Sequence, residues 1–173
     1  MTLRIFTAVL LAAGTLVIGQ ASAQAPDLNA IPDKMPFATP YGPPISMDRA
    51  NAVIAAGVAE AKKRGWDLNI AVVDPHGELK AFGRMDNAQF ASIPIAQHKA
   101  RVAARYRRPS RAFEDGVQKA GLNYLMTLDD VIASRGGIPL VEDGKIIGAV
   151  GCSGGTGSQD EAVCTAAAAV VNK

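Results

Sequence analysis

Two histidines, a run of arginines, a glycine-rich loop and two cysteines are the side chains here with the most chemistry to offer. His76 stands in Asp74-Pro75-His76-Gly77, and His98 in Gln97-His98-Lys99. A neutral imidazole is a common ligand for iron and other metals, so each is a candidate ligand, with His98 preferred. The plainer roles are turn chemistry for His76 and a solvated helix position for His98. Lys99, Arg101, Arg105, Arg107, Arg108 and Arg111 form a basic cluster. It reads either as a solvated helix face or as an anion site, because Arg grips carboxylates bidentately. Arg101 and Arg105 follow His98 by three and seven residues, along one helical side. Gly154, Gly155, Thr156 and Gly157 can turn successive N–H groups toward one point at a helix start, which suits an anion. Gln159, Asp160 and Glu161 follow at once, and their carboxylates would repel a phosphate. A tight strand-to-helix turn with acidic capping explains the same residues.

The elements that must position these groups follow from periodicity. Ser46 is a good N-cap, and Ala50, Val53, Ile54, Gly57, Val58 and Ala61 share a helical face that Gly65 closes. Leu68 to Val73 alternates with a period of two, turns at Asp74–Gly77 and returns over Glu78–Arg84. Ser92, with Pro94 in the first turn, predicts a second helix with a thin alanine face at Ala96, Ala100, Ala103 and Ala104. Ser110 predicts a third helix, ending at Gly121. Leu122 to Ser134 has no clear pattern. Ile138–Val141 and Lys145–Cys152 flank the turn Glu142-Asp143-Gly144, and a last helix is expected from Ser158 to Val170. The fold class is therefore α+β, a central antiparallel sheet of four to six strands flanked by helices.

Met1–Arg4, the apolar run Ile5–Ile18 and Ala21-Ser22-Ala23 have the three parts of a secretory signal, so residues 1–23 are expected to be removed. No later stretch is apolar enough to span a membrane, and a periplasmic or secreted location is expected. Residues 24–45 hold Pro26, Pro32, Pro36, Pro40, Pro43 and Pro44 and read as an extended arm or linker before a domain over 46–173. The even cysteine count in an exported chain favours one disulfide, Cys152–Cys164, over two buried thiols. A net charge of +2 with 5% aromatics argues against a nucleic-acid partner. No metalloprotease, nucleophile-elbow or Walker sequence is present.

Three stretches taken in order resemble one family. They are Ile70–Gly77, then Arg107-Arg108-Pro109-Ser110-Arg111-Ala112-Phe113, then Gly136–Val141 running on through Gly151-Cys152-Ser153-Gly154-Gly155-Thr156-Gly157-Ser158-Gln159-Asp160-Glu161. The chain from Ser46 to Lys173 is similar to the GlcG/HbpS-like haem-binding proteins and to the C-terminal domain of PduO-type corrinoid adenosyltransferases. The resemblance implies haem as cofactor, homo-oligomers, and a role in haem sensing, iron handling or protection from oxidative stress. With haem as the ligand, this chain's own residues make His98 the expected iron ligand, or else His76, with Arg101 or Arg105 on the propionates. The PduO-type ligand lies on the first helix, and Ser46–Arg64 holds no histidine, so that ligand does not transfer. The competing classes are an enzyme acting on a small metabolite beside the glycine loop and an accessory module for a membrane sensor or periplasmic oxidoreductase. The lack of a recognisable nucleophile–base pair weighs against the enzyme.

Overall fold

A computed structural model describes residues 30–172. The expected leader lies outside the described residues, as does the first part of the Pro-rich arm. Four helices and four strands follow in the order α1 (Met47–Arg64), β1 (Asn69–Val73), β2 (Leu79–Arg84), α2 (Ser92–Arg105), α3 (Arg111–Ala120), β3 (Gly137–Glu142), β4 (Lys145–Ser153) and α4 (Gly157–Ala168). A 3₁₀ turn, Asn123–Thr127, occupies part of the stretch that periodicity left unplaced. Among the described residues, no helix is long and apolar enough to cross a membrane.

The sheet is antiparallel throughout, in the order β2-β1-β4-β3. This is the α+β sheet expected from the sequence. Alternate residues of β1 face opposite layers. Ile70 and Val72 join Val53 and Ala61 of α1 and Val163 and Ala167 of α4 in the main core. Ala71 and Val73 meet Ala96, Ala100, Ala103 and Ala104 of α2 on the other side. Hence all five β1 residues are buried, and the expected alternation of inside and outside is absent from this central strand. The small faces let α2 lie almost on the backbone of the sheet. Gly137 and Gly151 are paired neighbours on β3 and β4. A Cβ on Gly151 would stand 2.1 Å from the Ala96 carbonyl oxygen, and one on Gly137 2.1 Å from that of Lys99. Any side chain there would push the helix away.

Local signals set most boundaries. The Ser46 hydroxyl accepts from the Arg49 N–H, and Gly65 closes α1 in the left-handed conformation (φ 69°). Asp143 and Gly144 both have positive φ, as a two-residue hairpin turn requires. Two expected caps work differently. Ala91, not Ser92, occupies the N-cap of α2. The buried Ser92 hydroxyl instead accepts from Gln89 and from Ser153. Ser110 does precede α3, but its hydroxyl donates to the Ser134 carbonyl and accepts from the Gly137 N–H, which ties α3 to β3. The last helix runs over Gly157–Ala168, starting a residue earlier and ending two earlier than expected. Cys152 and Cys164 form the expected disulfide, with Cα atoms 5.6 Å apart, and pin α4 to the end of β4.

Candidate ligand-binding site

The turn between β1 and β2 is built on the Asp74 carboxylate, which accepts from the N–H groups of His76 (2.8 Å) and Glu78 (3.0 Å). That fold-back fixes the backbone and leaves His76 exposed at the tip. The C-terminal end of α2 packs beneath it. Arg105 donates from Nε to the His76 carbonyl at 2.7 Å, and Arg101 from Nε to the Gly77 carbonyl at 3.4 Å. Asp130 pairs with both arginines, and Glu78 with Arg105. Tyr41, from the Pro-rich arm, donates its hydroxyl to the Arg105 carbonyl, and Arg107 lies over its ring. The result is a cleft of about 290 Å³ lined by Tyr41, Gly42, Pro75, His76 and Arg105. It offers an imidazole, a guanidinium and an aromatic face together. Three of the expected residues, His76, Arg101 and Arg105, therefore meet at this turn.

His98 is elsewhere, two helical turns back from Arg105. Its Nε2 is shielded from solvent and has no hydrogen-bond partner among the described residues. An unpartnered buried imidazole nitrogen is uncommon, because burying it without a partner costs free energy.

The glycine loop lies at the far end of the sheet. Asn69 pairs with Ser153 and Val73 with Ala149, so the loop after β4 sits beside the start of β1, whereas His76 follows its end. Five strand residues separate them, roughly 17 Å. Several of the loop's donors are already used. Gly155 donates to Asp160 Oδ1 at 3.0 Å, and Thr156 and Gln159 form a reciprocal capping box. Asp160 is the anion the loop binds, and its other oxygen meets Lys99 Nζ at 2.7 Å. Both side chains are 2% exposed. Burial pushes the Asp160 carboxyl above its usual range, opposed by the Lys99 hydrogen bond and by the Gly155 and Gly154 N–H groups. Beside this pair, Glu114 accepts from the Arg135 N–H (2.7 Å) and Nε (2.8 Å). Those bonds hold the Glu114 carboxyl below its usual range. Arg111 and Arg135 also face Glu161.

The family model for "Haem degrading protein HbpS-like" matches residues 45–169. This chain belongs to the HbpS-like family. Protein GlcG of Escherichia coli (strain K12) is 46% identical over 109 residues, 63% of this chain and 81% of GlcG. The crystal structure of an HbpS from Streptomyces reticuli, a double mutant, superposes with a TM-score of 0.71 at 25% identity, over 86% of this chain and 100% of that one. The crystal structure of a PduOC:heme complex gives 0.67 at 27% identity, over 75% and 96%.

Within this HbpS-like domain, sequence reasoning did not find the Lys99–Asp160 pair. It placed Lys99 in a basic cluster read either as a solvated helix face or as a site for an outside anion, and the structure corrects this for Lys99, whose anion is the internal Asp160. Lys99 is 1% exposed because α2 rests on Gly137 and Gly151, which brings it over the glycine loop. Lys99 does recur one turn after Ala96 and one residue before Ala100, the thin face of the helix, and that was the available signal. Nor was the partnering of Arg101 and Arg105 with the turn visible, since the acidic and carbonyl partners are distant in sequence.

Proposed function

We propose that this chain is an exported haem-binding protein of the HbpS-like family, with haem held at the cleft between the β1–β2 turn and the C-terminal end of α2. The observation that carries this reading is the meeting of the His76 imidazole, the Arg105 guanidinium and the Tyr41 ring in one open cleft. The donor set suits the group. No side-chain hydrogen bond engages the His76 ring among the described residues, while Asp74 fixes the backbone beneath it. Arg105 and Arg101 are anchored on the same turn, and a propionate would take the place of Asp130 or Glu78 as their carboxylate partner. Tyr41 and Pro75 supply apolar surface. When bound, haem would contribute an iron that accepts one imidazole nitrogen. His98 matches in donor type and is unpartnered, but its Nε2 is covered, so ligation there requires the covering side chains to move.

Residues 1–23 would direct export, with cleavage after Ala23 checked by sequencing the mature N-terminus. The working form would be a homo-oligomer, checked by light scattering. Haem sensing, iron handling and protection from oxidative damage are the roles that suit such a protein outside the cytoplasm. The deciding experiment titrates haem into wild type, His76→Ala, His98→Ala and the double variant, following the Soret band. Loss of affinity and a changed spectrum in His76→Ala, with His98→Ala unchanged, is the expected result. If the double variant keeps the wild-type spectrum and affinity, histidine ligation is wrong. If wild type does not bind haem, the whole reading falls.

A further inference from the structure

The Pro-rich arm does more than lead into the domain. β1 pairs with β4 only as far as Ala149, so the first residues of β4 lack a strand partner on that side. The arm supplies one. Ile146 donates to the Pro40 carbonyl and Gly42 to the Ile146 carbonyl, both at 2.8 Å, and Ile45 donates to the Ile147 carbonyl at 2.7 Å. Tyr41 thereby forms a parallel bridge with Ile146. The approach is close at Gly42, where a Cβ would stand 2.9 Å from the Lys145 Cβ. Downstream, Ile45 is buried in the main core, and upstream the Arg108 guanidinium lies 3.7 Å from the centre of the Phe37 ring. Tyr41 stands between these anchors. Its hydroxyl donates to the Arg105 carbonyl at 2.7 Å, which satisfies one of the last carbonyls of α2. Arg107 lies over one face of its ring, 5.6 Å from the centroid. Tyr41 is nevertheless 47% exposed and forms a wall of the His76 cleft, so a ligand has ring surface left to it.

We propose that Tyr41 holds the ligand of the His76 cleft by stacking: a flat porphyrin lies on the open face of the Tyr41 ring while His76 takes the iron. This rests on the reading of the cleft as a haem site and adds a residue whose contribution needs no metal. An aromatic face attracts a flat conjugated ring through dispersion and apolar burial in an offset stack. The seat is built before the ligand arrives. Backbone pairing on both sides of Tyr41, its hydroxyl bond and Arg107 already fix the ring, so little further side-chain freedom is lost on binding. Ligation and stacking are therefore separable, since the first depends on iron and the second on the flat ring.

The test measures release of haem and of iron-free protoporphyrin IX into excess apomyoglobin, from wild type, Tyr41→Leu, Tyr41→Phe and His76→Ala. Leucine keeps apolar bulk without a ring, and phenylalanine keeps the ring. Tyr41→Leu should release both porphyrins about tenfold faster, the loss of one aromatic stack. Tyr41→Phe should restore slow release, because the backbone pairs still seat its ring. His76→Ala should speed the release of haem alone. The Leu and Phe variants both lack the hydroxyl bond to Arg105, so their ligand-free forms should melt together, and a difference in release between them reads the ring and not the fold. Release from Tyr41→Leu at the rate of wild type or of Tyr41→Phe would overturn the stacking role, as would a wild type that takes up haem but not protoporphyrin IX. In those cases faster haem loss from His76→Ala would leave the haem reading standing. A wild type that takes up neither porphyrin would overturn both.

Discussion

Replacing Lys99 by Met tests what holds α2, β3 and the glycine loop together. The ammonium and the Asp160 carboxylate are 2.7 Å apart, with both side chains 2% exposed. With an effective dielectric constant near 20, their attraction is about 6 kcal/mol, most of which offsets the cost of taking two ions out of water. The pair as a whole therefore contributes little, but breaking it strands a charge. Methionine fills the space of the lysine stem and leaves a buried carboxylate with only backbone N–H partners. The expected loss is about 3–5 kcal/mol, or roughly 10–15 °C in Tm for a domain of this size. Adding Asp160→Asn removes the stranded charge while its amide oxygen still accepts from Gly155, so the double variant should recover about half of the loss. The pH dependence has a definite sign. Burial already raises the Asp160 carboxyl above 3.8, and removing Lys99 raises it further. The folded state then binds the proton more tightly than the unfolded chain. Stability therefore rises as pH falls through the raised value, and the gain is complete below the unfolded one. The difference between wild type and Lys99→Met should accordingly shrink from about pH 7 to about pH 4 in thermal or urea melts. A variant that melts within about 3 °C of wild type at neutral pH, or a deficit that does not change with pH, would refute the reasoning.

Four other variants test the same geometry. Gly151→Ala should cost at least about 3 kcal/mol in a urea melt, because its Cβ would stand 2.1 Å from the Ala96 oxygen and 2.5 Å from the Ala100 nitrogen. Gly144→Asn, at a left-handed turn with open space around it, should cost under about 1 kcal/mol. Glu114→Gln should lose about 1–3 kcal/mol at neutral pH. The Arg135 bonds depress the folded carboxyl below 4.5, so the contribution is present above that value and disappears as pH falls through the depressed one. Wild type and Glu114→Gln should therefore converge in acid. Replacing both Cys152 and Cys164 by Ser releases a link twelve residues apart in sequence and should cost about 3 kcal/mol. Thiol titration of the denatured, unreduced wild type should find no free thiols.

The sequence by itself determined the elements whose cause is local. Ser46 and Gly65 bound α1, the Asp74 and Gly144 turns make the hairpins, and glycine ends α3. Each depends on backbone geometry within a few residues, so type and spacing were enough. The family was legible for a related reason, since turn and glycine motifs kept their order along the chain. The disulfide followed from the even cysteine count together with the expectation of export. Only the tertiary structure decided what crosses between elements. Ser92 looked like a cap but is claimed by Gln89 and Ser153. Lys99 looked solvated, yet the approach of α2 to Gly137 and Gly151 buries it against Asp160. The glycine loop read either as a site for an outside anion or as a tight turn with acidic capping, and an internal carboxylate, Asp160, takes the Gly155 N–H. His98 looked the better ligand of the two histidines, but packing covers its Nε2 and leaves His76 exposed beside Arg105. In each case the competing partner lies far along the chain, and desolvation, which depends on the whole fold, determines which polar contact is made.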